Sequence, residues 1–271
     1  MNMPPTDMID SPTDSATPAW DDDSLRSPHD NSAKAARVNR MFGEIAESYD
    51  LNNRVHSFGR DQTWRRKAVH LTKVRRDQDV VVDVACGTGD LSFQFASAHP
   101  AEVIGIDFVP KMIEIAKQKY SDYQKKGRIQ VPIDFRVGDA MNLDLDDGCA
   151  DIVSIAFGIR NVTNPAQAVA EFRRVLRPGG RLIILEFSLP RNPLMRLLYQ
   201  FYFNQVMPRT ATLLAGDRSG AYKYLPRSVD TFITPDQMVQ MISDAGFCEV
   251  SVSAMTFGIC MAYLASVPMG D

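Results

Sequence analysis

Two glycines and an aspartate follow a short β-branched run in the stretch VVDVACGTGD, residues 81 to 90. Gly87 and Gly89 allow the backbone to turn tightly, and they allow a ligand to approach without a Cβ in the way. A glycine loop between a strand and a helix is typical of sites that bind a nucleotide-like cofactor. The stretch therefore predicts a cofactor loop, and the question is which cofactor it binds.

Carboxylates lie at or just after the ends of three predicted strands: Asp83 on the first, Asp107 on the second and Asp139 just after the third. Because ligands of open α/β sheets bind beyond the carboxyl ends of the strands, we expect these side chains to border one pocket. Asp107 lies 20 residues beyond Gly87. That spacing is typical of a carboxylate that binds a ribose diol, so NAD would fit these features.

Two departures from the dinucleotide pattern favour another cofactor. Ser92 replaces the third glycine of G-x-G-x-x-G, and Asp90 lies where the helix begins. A dinucleotide places its pyrophosphate on the exposed N–H groups of that helix end, and an aspartate there repels a phosphate. A cofactor with an adenosine, a sulfonium cation and no phosphate suits a loop surrounded by four aspartates better. The sequence therefore predicts S-adenosylmethionine.

The roles of the loop and the carboxylates follow from the chemistry of that cofactor. We expect the backbone of residues 87–89 to contact the methionine part and Asp107 to bind the ribose hydroxyls. Asp139 and the Ala140 N–H are expected at the adenine edge. Asp83 completes the set of predicted cofactor-binding carboxylates.

The elements that position these residues alternate between short apolar runs and helical stretches from Asp79 onward. Near-continuous apolar strands between helices indicate a parallel sheet covered on both faces. The predicted fold class is α/β, a doubly wound, mostly parallel, Rossmann-like sheet with a C-terminal antiparallel hairpin. The strands are predicted at Val80 to Val84, Val103 to Asp107, Ile133 to Val137, Ile152 to Ala156 and Arg181 to Phe187, the helices at 90 to 97, 110 to 120 and 165 to 176, and the hairpin strands at Cys248 to Ala254 and Gly258 to Ser266.

The chain divides into a tail and one domain. Residues 1–33 carry seven Asp against one Arg and few apolar residues, so a disordered acidic tail is predicted because little burial can offset the entropy cost of ordering. Residues 34–271 are predicted to form a single methyltransferase domain that begins with a helical cap over 34–78. In that cap we expect one helix that ends near Tyr49, a loop, and a second helix from about Thr63.

Composition argues against several classes of protein. A formal net charge of -3 with a near-neutral body does not favour nucleic-acid binding. The four cysteines show no C-x-x-C spacing and follow no secretory segment, which predicts reduced thiols in the cytoplasm. The four histidines do not cluster, so no metal site is predicted. No run of 18 apolar residues occurs, so no membrane span is predicted.

Several stretches of the body resemble the ubiquinone/menaquinone biosynthesis C-methyltransferase family. The resemblance implies a class I methyltransferase fold and methylation of a ring carbon in a polyprenylated quinol. It also implies that Thr88, Asp107, Asp139 and Ala140 contact the cofactor. The matching stretches are MFGEIAESYDLNN (41 to 53), SFGRDQTWRR (57 to 66), DVACGTGDLS (83 to 92), GIDF (105 to 108), FGIRNVTNPAQAV (157 to 169), RVLRPGGRLIILEFSLP (174 to 190) and YKYLP (222 to 226).

The resemblance leaves the acceptor open among related quinols. Demethylmenaquinol is favoured, because the loop that contains Cys86 looks more like the menaquinone branch of the family. The alternatives are C-methylation of the 2-polyprenyl-6-methoxy-benzoquinol precursor of ubiquinone and methylation of another small hydrophobic acceptor. A further alternative is a cofactor-binding scaffold subunit without catalysis.

A quinol carbon becomes nucleophilic when one hydroxyl loses its proton, and an unperturbed phenol has a pKa of about 10. The site must therefore favour the phenolate. Arg160 follows the fourth strand and is predicted to point over the cofactor pocket and stabilise phenolate charge, while Asn161 orients the second ring oxygen. The proton acceptor remains open among Tyr49, Asp50 and His56 in the cap.

The stretch from Leu194 to Met207 is apolar nearly all round its predicted helix. It could be buried core, one wall of a tunnel for the isoprenoid tail, or a helix that rests on the bilayer surface. The third possibility would make the protein a cytoplasmic enzyme with peripheral contact at the inner face of the membrane. The oligomeric state is left open.

Overall fold

A seven-stranded sheet forms the centre of the computed structural model, which describes residues 18–29, 33–207 and 220–270. The strand order is β3-β2-β1-β4-β5-β7-β6, with β1 to β5 parallel and β7 antiparallel to both of its neighbours. The strands are β1 (Val80–Val84), β2 (Glu102–Asp107), β3 (Ile133–Val137), β4 (Ala150–Ala156), β5 (Leu176–Phe187), β6 (Cys248–Met255) and β7 (Cys260–Ser266).

Helices cover both faces of the sheet, which is why β1 alternates between two apolar cores. Val82 and Val84 pack in a cluster with α6 and α9, and Val81 packs on the other face with α3, α4 and α5. The helices are α1 (Lys34–Ile45), α2 (Tyr49–His56), α3 (Arg60–Thr72), α4 (Asp90–Ala96), α5 (Pro110–Lys125), α6 (Pro165–Val175), α7 (Pro193–Phe201), α8 (Ala221–Asp230) and α9 (Pro235–Asp244).

The predicted fold class is confirmed, including the antiparallel hairpin at one edge. Strand β5 begins at Leu176 rather than at Arg181. The Pro-Gly-Gly of residues 178–180 predicts a turn before the strand. Leu176 nevertheless pairs with Ala150, so the pairing of β4 with β5 continues on the N-terminal side of the Pro-Gly-Gly. Helix α9 begins with a capping box of Thr234 and Gln237.

The cap differs from its prediction. Helix α1 ends at Ile45, and Tyr49 begins the separate helix α2 in a stretch that was expected to be a loop. Asn52, a residue typical of loops, lies buried within α2 and donates its side-chain amide to the Ser48 carbonyl at 2.9 Å. Tertiary burial therefore overrides the local preference of the asparagines for a loop.

Helix α3 begins three residues earlier than the predicted Thr63, at Arg60. The Ser57 hydroxyl donates to the Asp61 carboxylate at 3.0 Å and accepts from the Asp61 N–H at 3.3 Å. This reciprocal pair satisfies a donor at the first turn, as an N-terminal cap does.

The segment of residues 18–29 packs on the domain, so the prediction of a disordered tail does not hold for this part. Trp20 is buried and stacks on Tyr224, with the ring centroids 4.3 Å apart. The Arg37 guanidinium donates to the Ala19 carbonyl at 2.8 Å. One tryptophan offers a large apolar area that the average composition of the segment conceals. Residues 1–17 and 30–32 of the predicted tail lie outside the described residues.

The predicted helix from Pro193 to Met207 is present but changes pitch, because α7 is followed by a π-helical turn at Tyr202–Val206. Among the residues that the structure describes, no helix is long and apolar enough to cross a membrane. All four cysteines are free thiols.

Candidate active site

The glycine loop between β1 and α4 takes its shape from positive φ angles at Gly87 and Gly89. A Cβ on Gly89 would lie 2.8 Å from the Phe135 Cζ, so this glycine allows the loop to pack against β3. A Cβ on Gly87 would lie 3.8 Å from the Tyr49 Cε1, in the space between the loop and the cap. The loop is therefore closely packed on one side and open to a cavity on the other.

Asp107, at the end of β2, holds the loop in place. Its carboxylate accepts hydrogen bonds from the Gly87 N–H at 2.8 Å and the Val109 N–H at 2.9 Å. Burial raises the pKa of this carboxyl group to about 6, against the opposing effect of the backbone donors. Asp107 also lines the cavity above the loop, as predicted from its position.

The cavity above the loop, here called the cofactor cavity, is lined by Gly87, Asp107, Asp139 and Ala140, four of the predicted cofactor contacts. The Asp139 carboxylate accepts from the Met141 N–H at 2.9 Å through one oxygen. Asp107 and Asp139 are the charged side chains in its wall, and among the described residues no cation lines it. These carboxylate acceptors fit hydroxyl groups, an amine or a sulfonium cation, and they do not fit a pyrophosphate.

Asp83 lies beneath the loop and does not line the cofactor cavity, so the prediction of a direct contact is not supported. Its carboxylate accepts from the Ser92 hydroxyl at 2.6 Å and the Ser154 hydroxyl at 2.7 Å. Desolvation raises the pKa of Asp83 to about 6. Since the two serines lie on α4 and β4, Asp83 joins the loop's flanking elements instead of binding the ligand.

Thr88 and Asp90 also point away from the cofactor cavity. The Thr88 hydroxyl donates to the Asp50 carboxylate at 2.6 Å, and the Lys119 ammonium donates to Asp50 at 2.8 Å and to Asp90 at 2.9 Å. Despite desolvation, which raises it, the charges of Lys119, Arg65 and Arg54 lower the pKa of Asp90 to about 2. The expectation that Asp90 faces a sulfonium is therefore wrong, because neighbouring cations already compensate its charge.

A second, larger cavity of about 490 Å³ lies beside the first, within the range of ligand sites. Its walls are mostly apolar and come from the cap, from α7 with its π-helical turn, and from α8. Three residues, Phe42, Tyr49 and Phe157, line both cavities. The two spaces therefore meet at this aromatic boundary.

Tyr49 lies at the boundary, with its ring edge-on to Phe42 at a centroid distance of 5.9 Å. Burial raises the pKa of its hydroxyl, and the nearby guanidinium groups of Arg65 and Arg160 oppose that shift. A raised pKa keeps the phenol neutral near pH 7, so the geometry suits a hydrogen-bonding role and not proton abstraction.

Arg160 lies in a 3-10 helix, Ile159–Asn161, and lines the larger cavity, not the cofactor cavity over which it was expected to point. It forms a buried ion pair with Glu186 at 2.7 Å and also donates to the Phe157 carbonyl at 2.7 Å. Its Nε lies 3.3 Å from the Ser228 hydroxyl. Within the described part of the chain, Nη2 makes no hydrogen bond, so one donor group remains for a ligand.

Asn161 faces the cofactor cavity and not the larger one, which contradicts its predicted role beside a second ring oxygen. Its side-chain oxygen accepts from the Tyr224 hydroxyl at 3.0 Å, and its amide donates to the Phe157 carbonyl at 3.3 Å. These bonds fix the amide in the wall of the cofactor cavity.

Of the residues proposed as proton acceptors, His56 has the suitable position. It lines the larger cavity, and its Nδ1 lies 3.4 Å from the Tyr202 hydroxyl. Burial lowers the pKa of the imidazole below its usual 6.5, which keeps the ring neutral near pH 7. Asp50 is held by Thr88 and Lys119 and lines neither cavity.

Arg65 is a site residue that the sequence analysis assigned no role. It is buried in the wall of the larger cavity, where its Cζ lies 5.3 Å from the Phe157 ring centroid. The signal was present in the spacing of α3, because Arg65 is four residues before Val69 and seven before Thr72, both buried. A charged residue on the buried face of an amphipathic helix is a candidate for function.

Comparison with known proteins agrees with this geometry. A model of the ubiE/COQ5 methyltransferase family matches residues 30–266. A demethylmenaquinone methyltransferase of Deinococcus radiodurans is 42% identical over 85% of this chain and 92% of its own length. A ubiquinone/menaquinone biosynthesis C-methyltransferase UbiE of Geobacter sp. strain M21 is 42% identical over 86% and 97%.

The fold is also found among solved structures. A SAM-dependent methyltransferase from Thermotoga maritima superposes with a TM-score of 0.57 at 19% identity, covering 84% of this chain and 99% of the other. The predicted enzyme class and S-adenosylmethionine as methyl donor are thereby confirmed. The chain belongs to the ubiE/COQ5 methyltransferase family.

Proposed function

We propose that the enzyme methylates a ring carbon of a polyprenylated quinol, with demethylmenaquinol as the favoured acceptor. The observation that carries the proposal is the shared aromatic boundary, because it places an acidic cofactor cavity beside a large apolar one. A quinol ring at that boundary would have its tail in the apolar space. The name of the Deinococcus radiodurans relative supports demethylmenaquinol, and the name of the Geobacter relative also allows the ubiquinone precursor.

S-adenosylmethionine would supply the methyl group on a sulfonium, whose methyl–sulfur bond would break with its electron pair left on sulfur as a pair from the ring carbon forms the new carbon–carbon bond. Asp107 and Asp139 would hold the ribose and the adenine in the cofactor cavity, and the Ala140 N–H would contact the adenine edge. The backbone at Gly87 leaves room for the methionine part. These residues position the donor, and the chemistry on the acceptor falls to the larger cavity.

Arg160 stabilises the phenolate form of the acceptor. Its Nη1 and Nε are fixed by Glu186, Phe157 and Ser228, so Nη2 is held in a set direction at the cavity wall. A preorganised donor in a water-poor site favours the charge that develops before transfer. The Glu186 carboxylate compensates the charge of this guanidinium in the interior, because an unpaired buried charge would be strongly unfavourable.

His56 accepts the proton of the quinol hydroxyl. The imidazole is neutral at pH 7, so it can act as a base, and it lies in the wall of the same cavity. After transfer, the methylated ring carbon releases its proton to water, and the oxygen recovers a proton from His56. The balance is one proton released for each methyl group transferred, and Tyr49 stays neutral as a hydrogen-bonding group at the boundary.

The isoprenoid tail leaves the cavity along α7. Tyr199 on this helix faces the interior, whereas Leu198 lies in the cavity wall and is 53% exposed to solvent. Phe58, at the end of α2, lines the same cavity and is 79% exposed. The cavity therefore opens to the surface between these two side chains, which gives a long apolar chain a route out.

We further propose that this opening rests on the membrane. An apolar surface, here called the rim patch, includes these two side chains and continues along α7; it consists of Phe58, Leu194, Leu197, Leu198 and Phe201, each more than half exposed. Arg196 on α7 and Arg60, two residues after Phe58, are also exposed. Apolar side chains flanked by cations are the combination that binds an anionic lipid surface.

The test of the main proposal is mass spectrometry of the acceptor after incubation with S-adenosylmethionine. Reduced demethylmenaquinone is expected to gain one methyl group, and the demethylated benzoquinol serves as competitor in the same tube. A methylated benzoquinol with unchanged demethylmenaquinol would assign the ubiquinone branch. If neither quinol gains a methyl group, the proposed substrate class is wrong.

The membrane contact is tested by sedimentation with vesicles of phosphatidylglycerol. Leu194→Ser combined with Leu197→Ser is expected to weaken vesicle binding by roughly tenfold or more, since each leucine loses apolar area that lipid would bury. Val252→Ser on β6 changes an exposed apolar residue outside the rim patch and is the matched control. Equal binding by both variants would contradict the proposal.

A further inference from the structure

Arg65 is a buried cation with few partners. The residue is 5% exposed, and its Nη1 donates to the Asp61 carboxylate at 3.0 Å. Its Nε is buried without a hydrogen-bond partner among the described residues, and Nη2 makes no bond to them either. A guanidinium carries five N–H donors, so most of the capacity of Arg65 is unused.

Location separates Arg65 from the other arginines with an unpaired Nε. Arg37, Arg177 and Arg181 also have a buried, unpaired Nε. Both terminal nitrogens of Arg177 and Arg181 are bonded or ion-paired, and Arg37 donates from Nη1 to the Ala19 carbonyl. None of the three lines either cavity described above. Arg65 instead lies in the wall of the larger cavity, where its Nη2, which makes no bond to the described residues, is available to a ligand.

The second buried cation of the cavity, Arg160, lies on the other ring of an aromatic pair. Phe157 and Phe187 have their centroids 4.5 Å apart, with the Arg65 Cζ 5.3 Å from the first and the Arg160 Cζ 5.4 Å from the second. Against the larger effect of burial, the charges of both guanidinium groups act on Tyr49 and lower the pKa of its hydroxyl. Arg65 and Arg160 thus approach the aromatic boundary from different elements, α3 and the 3-10 helix after β4.

We propose that Arg65 binds the quinol oxygen opposite to the one that Arg160 stabilises. The inference rests on the proposed function and adds a second recognition contact to it. A 1,4-quinol carries oxygens at both ends of one ring, and each needs a partner when the ring enters an apolar cavity. Asn161, which was expected to bind the second oxygen, faces the other cavity, whereas Arg65 has donors available.

The contact would make the enzyme specific for acceptors with two para oxygens. A monophenol leaves the Arg65 donors unpaired in the complex, and sites built for a polar group discriminate strongly against analogues that lack it. Arg65 is therefore a specificity-determining contact, and Arg160 is the group that acts on the reacting end of the ring.

The experiment compares two acceptors across four proteins. One acceptor is demethylmenaquinol with a short tail, and the other is the naphthol that keeps the hydroxyl beside the accepting carbon and lacks the opposite one. The proteins are the wild type, Arg65→Gln, Arg65→Lys and Arg66→Gln. Arg66 is the matched control, because it follows on the same helix and is exposed.

Arg65→Gln is expected to lower kcat/KM for the quinol by about 10- to 100-fold, mostly through KM, and to change kcat/KM for the naphthol by less than about threefold. Arg65→Lys should lose less on the quinol, since it keeps the charge, and Arg66→Gln should match the wild type on both acceptors. Binding of S-adenosylhomocysteine and the thermal midpoint verify that each variant is folded.

An equal loss on both acceptors would overturn the inference, because a structural role through Asp61 does not depend on the distal hydroxyl. If Arg65→Gln does not fold, Arg65→Lys carries the same test, and an equal loss on both acceptors has the same meaning. Failure of the wild type to methylate the quinol at all would instead refute the proposed function, so the two failures are distinguishable.

Discussion

The cofactor cavity and the larger cavity are built from different parts of the chain in different ways. The first lies at the carboxyl edge of the sheet, where its charged groups are the carboxylates of Asp107 and Asp139 beside the glycine loop, and Asn161 and Tyr49 add polar side chains to its wall. The second takes side chains from five helices and from loops, and it contains the buried cations Arg65 and Arg160. The difference teaches that the donor site depends on local backbone geometry, whereas the acceptor site depends on packing between distant segments.

Electrostatics separates the two regions as well. Asp107 and Asp139 give the cofactor cavity a negative wall, and the larger cavity has guanidinium groups near the same boundary. A cationic donor and an acceptor that becomes anionic would therefore meet where the sign of the wall changes. A substitution in one cavity should therefore change the binding or turnover of the ligand in that cavity and leave the binding of the other ligand unchanged.

The largest effect is expected for Arg160→Gln. Loss of the guanidinium removes phenolate stabilisation and should lower kcat by about 10² to 10³-fold. It also leaves Glu186 buried without a partner, which costs about 3–5 kcal/mol of unfolding free energy. Titration with S-adenosylhomocysteine should give the wild-type Kd.

The double variant Arg160→Gln with Glu186→Gln separates the two effects of that change. Denaturant unfolding should show most of the stability recovered, because no unpaired charge remains, while turnover stays low. Recovery of turnover together with stability would mean that Arg160 only stabilises the fold. The proposed role of the larger cavity in stabilising the phenolate would then be wrong.

A smaller effect is expected for Asp107→Ala on the donor side. The change leaves the Gly87 and Val109 N–H groups without their acceptor, at about 1–3 kcal/mol each, and removes the proposed ribose contact. Calorimetry should show the Kd for S-adenosylhomocysteine raised by about 10- to 100-fold. Asp134→Ala, at an exposed carboxylate paired with Arg136, should bind as the wild type does.

Gly89→Ala tests whether the donor site depends on backbone geometry. The new Cβ would meet Phe135 at 2.8 Å on a backbone with φ of 88°, so the unfolding free energy should fall by about 2–4 kcal/mol. Gly127→Ala also has a positive φ but meets nothing within 4 Å, and about 1–2 kcal/mol is expected from the backbone alone. Similar losses at both glycines would show that loop packing is unimportant.

The smallest effect is the pH dependence assigned to His56. Its pKa lies below 6.5, so the neutral base predominates at pH 7, and kcat/KM should fall as the pH drops through that lower pKa, by up to tenfold for each pH unit. His56→Gln should remove this acidic limb and lower the plateau. Persistence of the limb in the variant would move the titrating group to another residue.

The sheet and the cofactor loop were predictable because their signals are local. Apolar runs located all seven strands, and the rule that ligands bind at strand ends identified Asp107 and Asp139 correctly as wall residues. The same rule failed for Asp83, because the side chains of a strand alternate in direction and its neighbour serines take both carboxylate oxygens.

The acceptor side was predicted less well because its contacts join residues far apart in the chain. Tyr224 and Asn161 are 63 residues apart, and His56 and Tyr202 are 146 apart. No spacing rule links such pairs. Arg160 was predicted to be functional, but its cavity was not predicted, and the burial of Arg65 was signalled only by its spacing from the buried Val69 and Thr72 on α3.

The stacking of Trp20 on Tyr224 has a practical meaning for anyone who expresses this enzyme. The Tyr224 hydroxyl donates a hydrogen bond to Asn161. Trp20 is therefore connected to the wall of the cofactor cavity through Tyr224 and Asn161. A gene shortened to begin at Lys34, as the acidic composition alone would suggest, would remove Trp20 and its stacking on Tyr224. Such a product would lack a contact that supports one wall of the cofactor cavity.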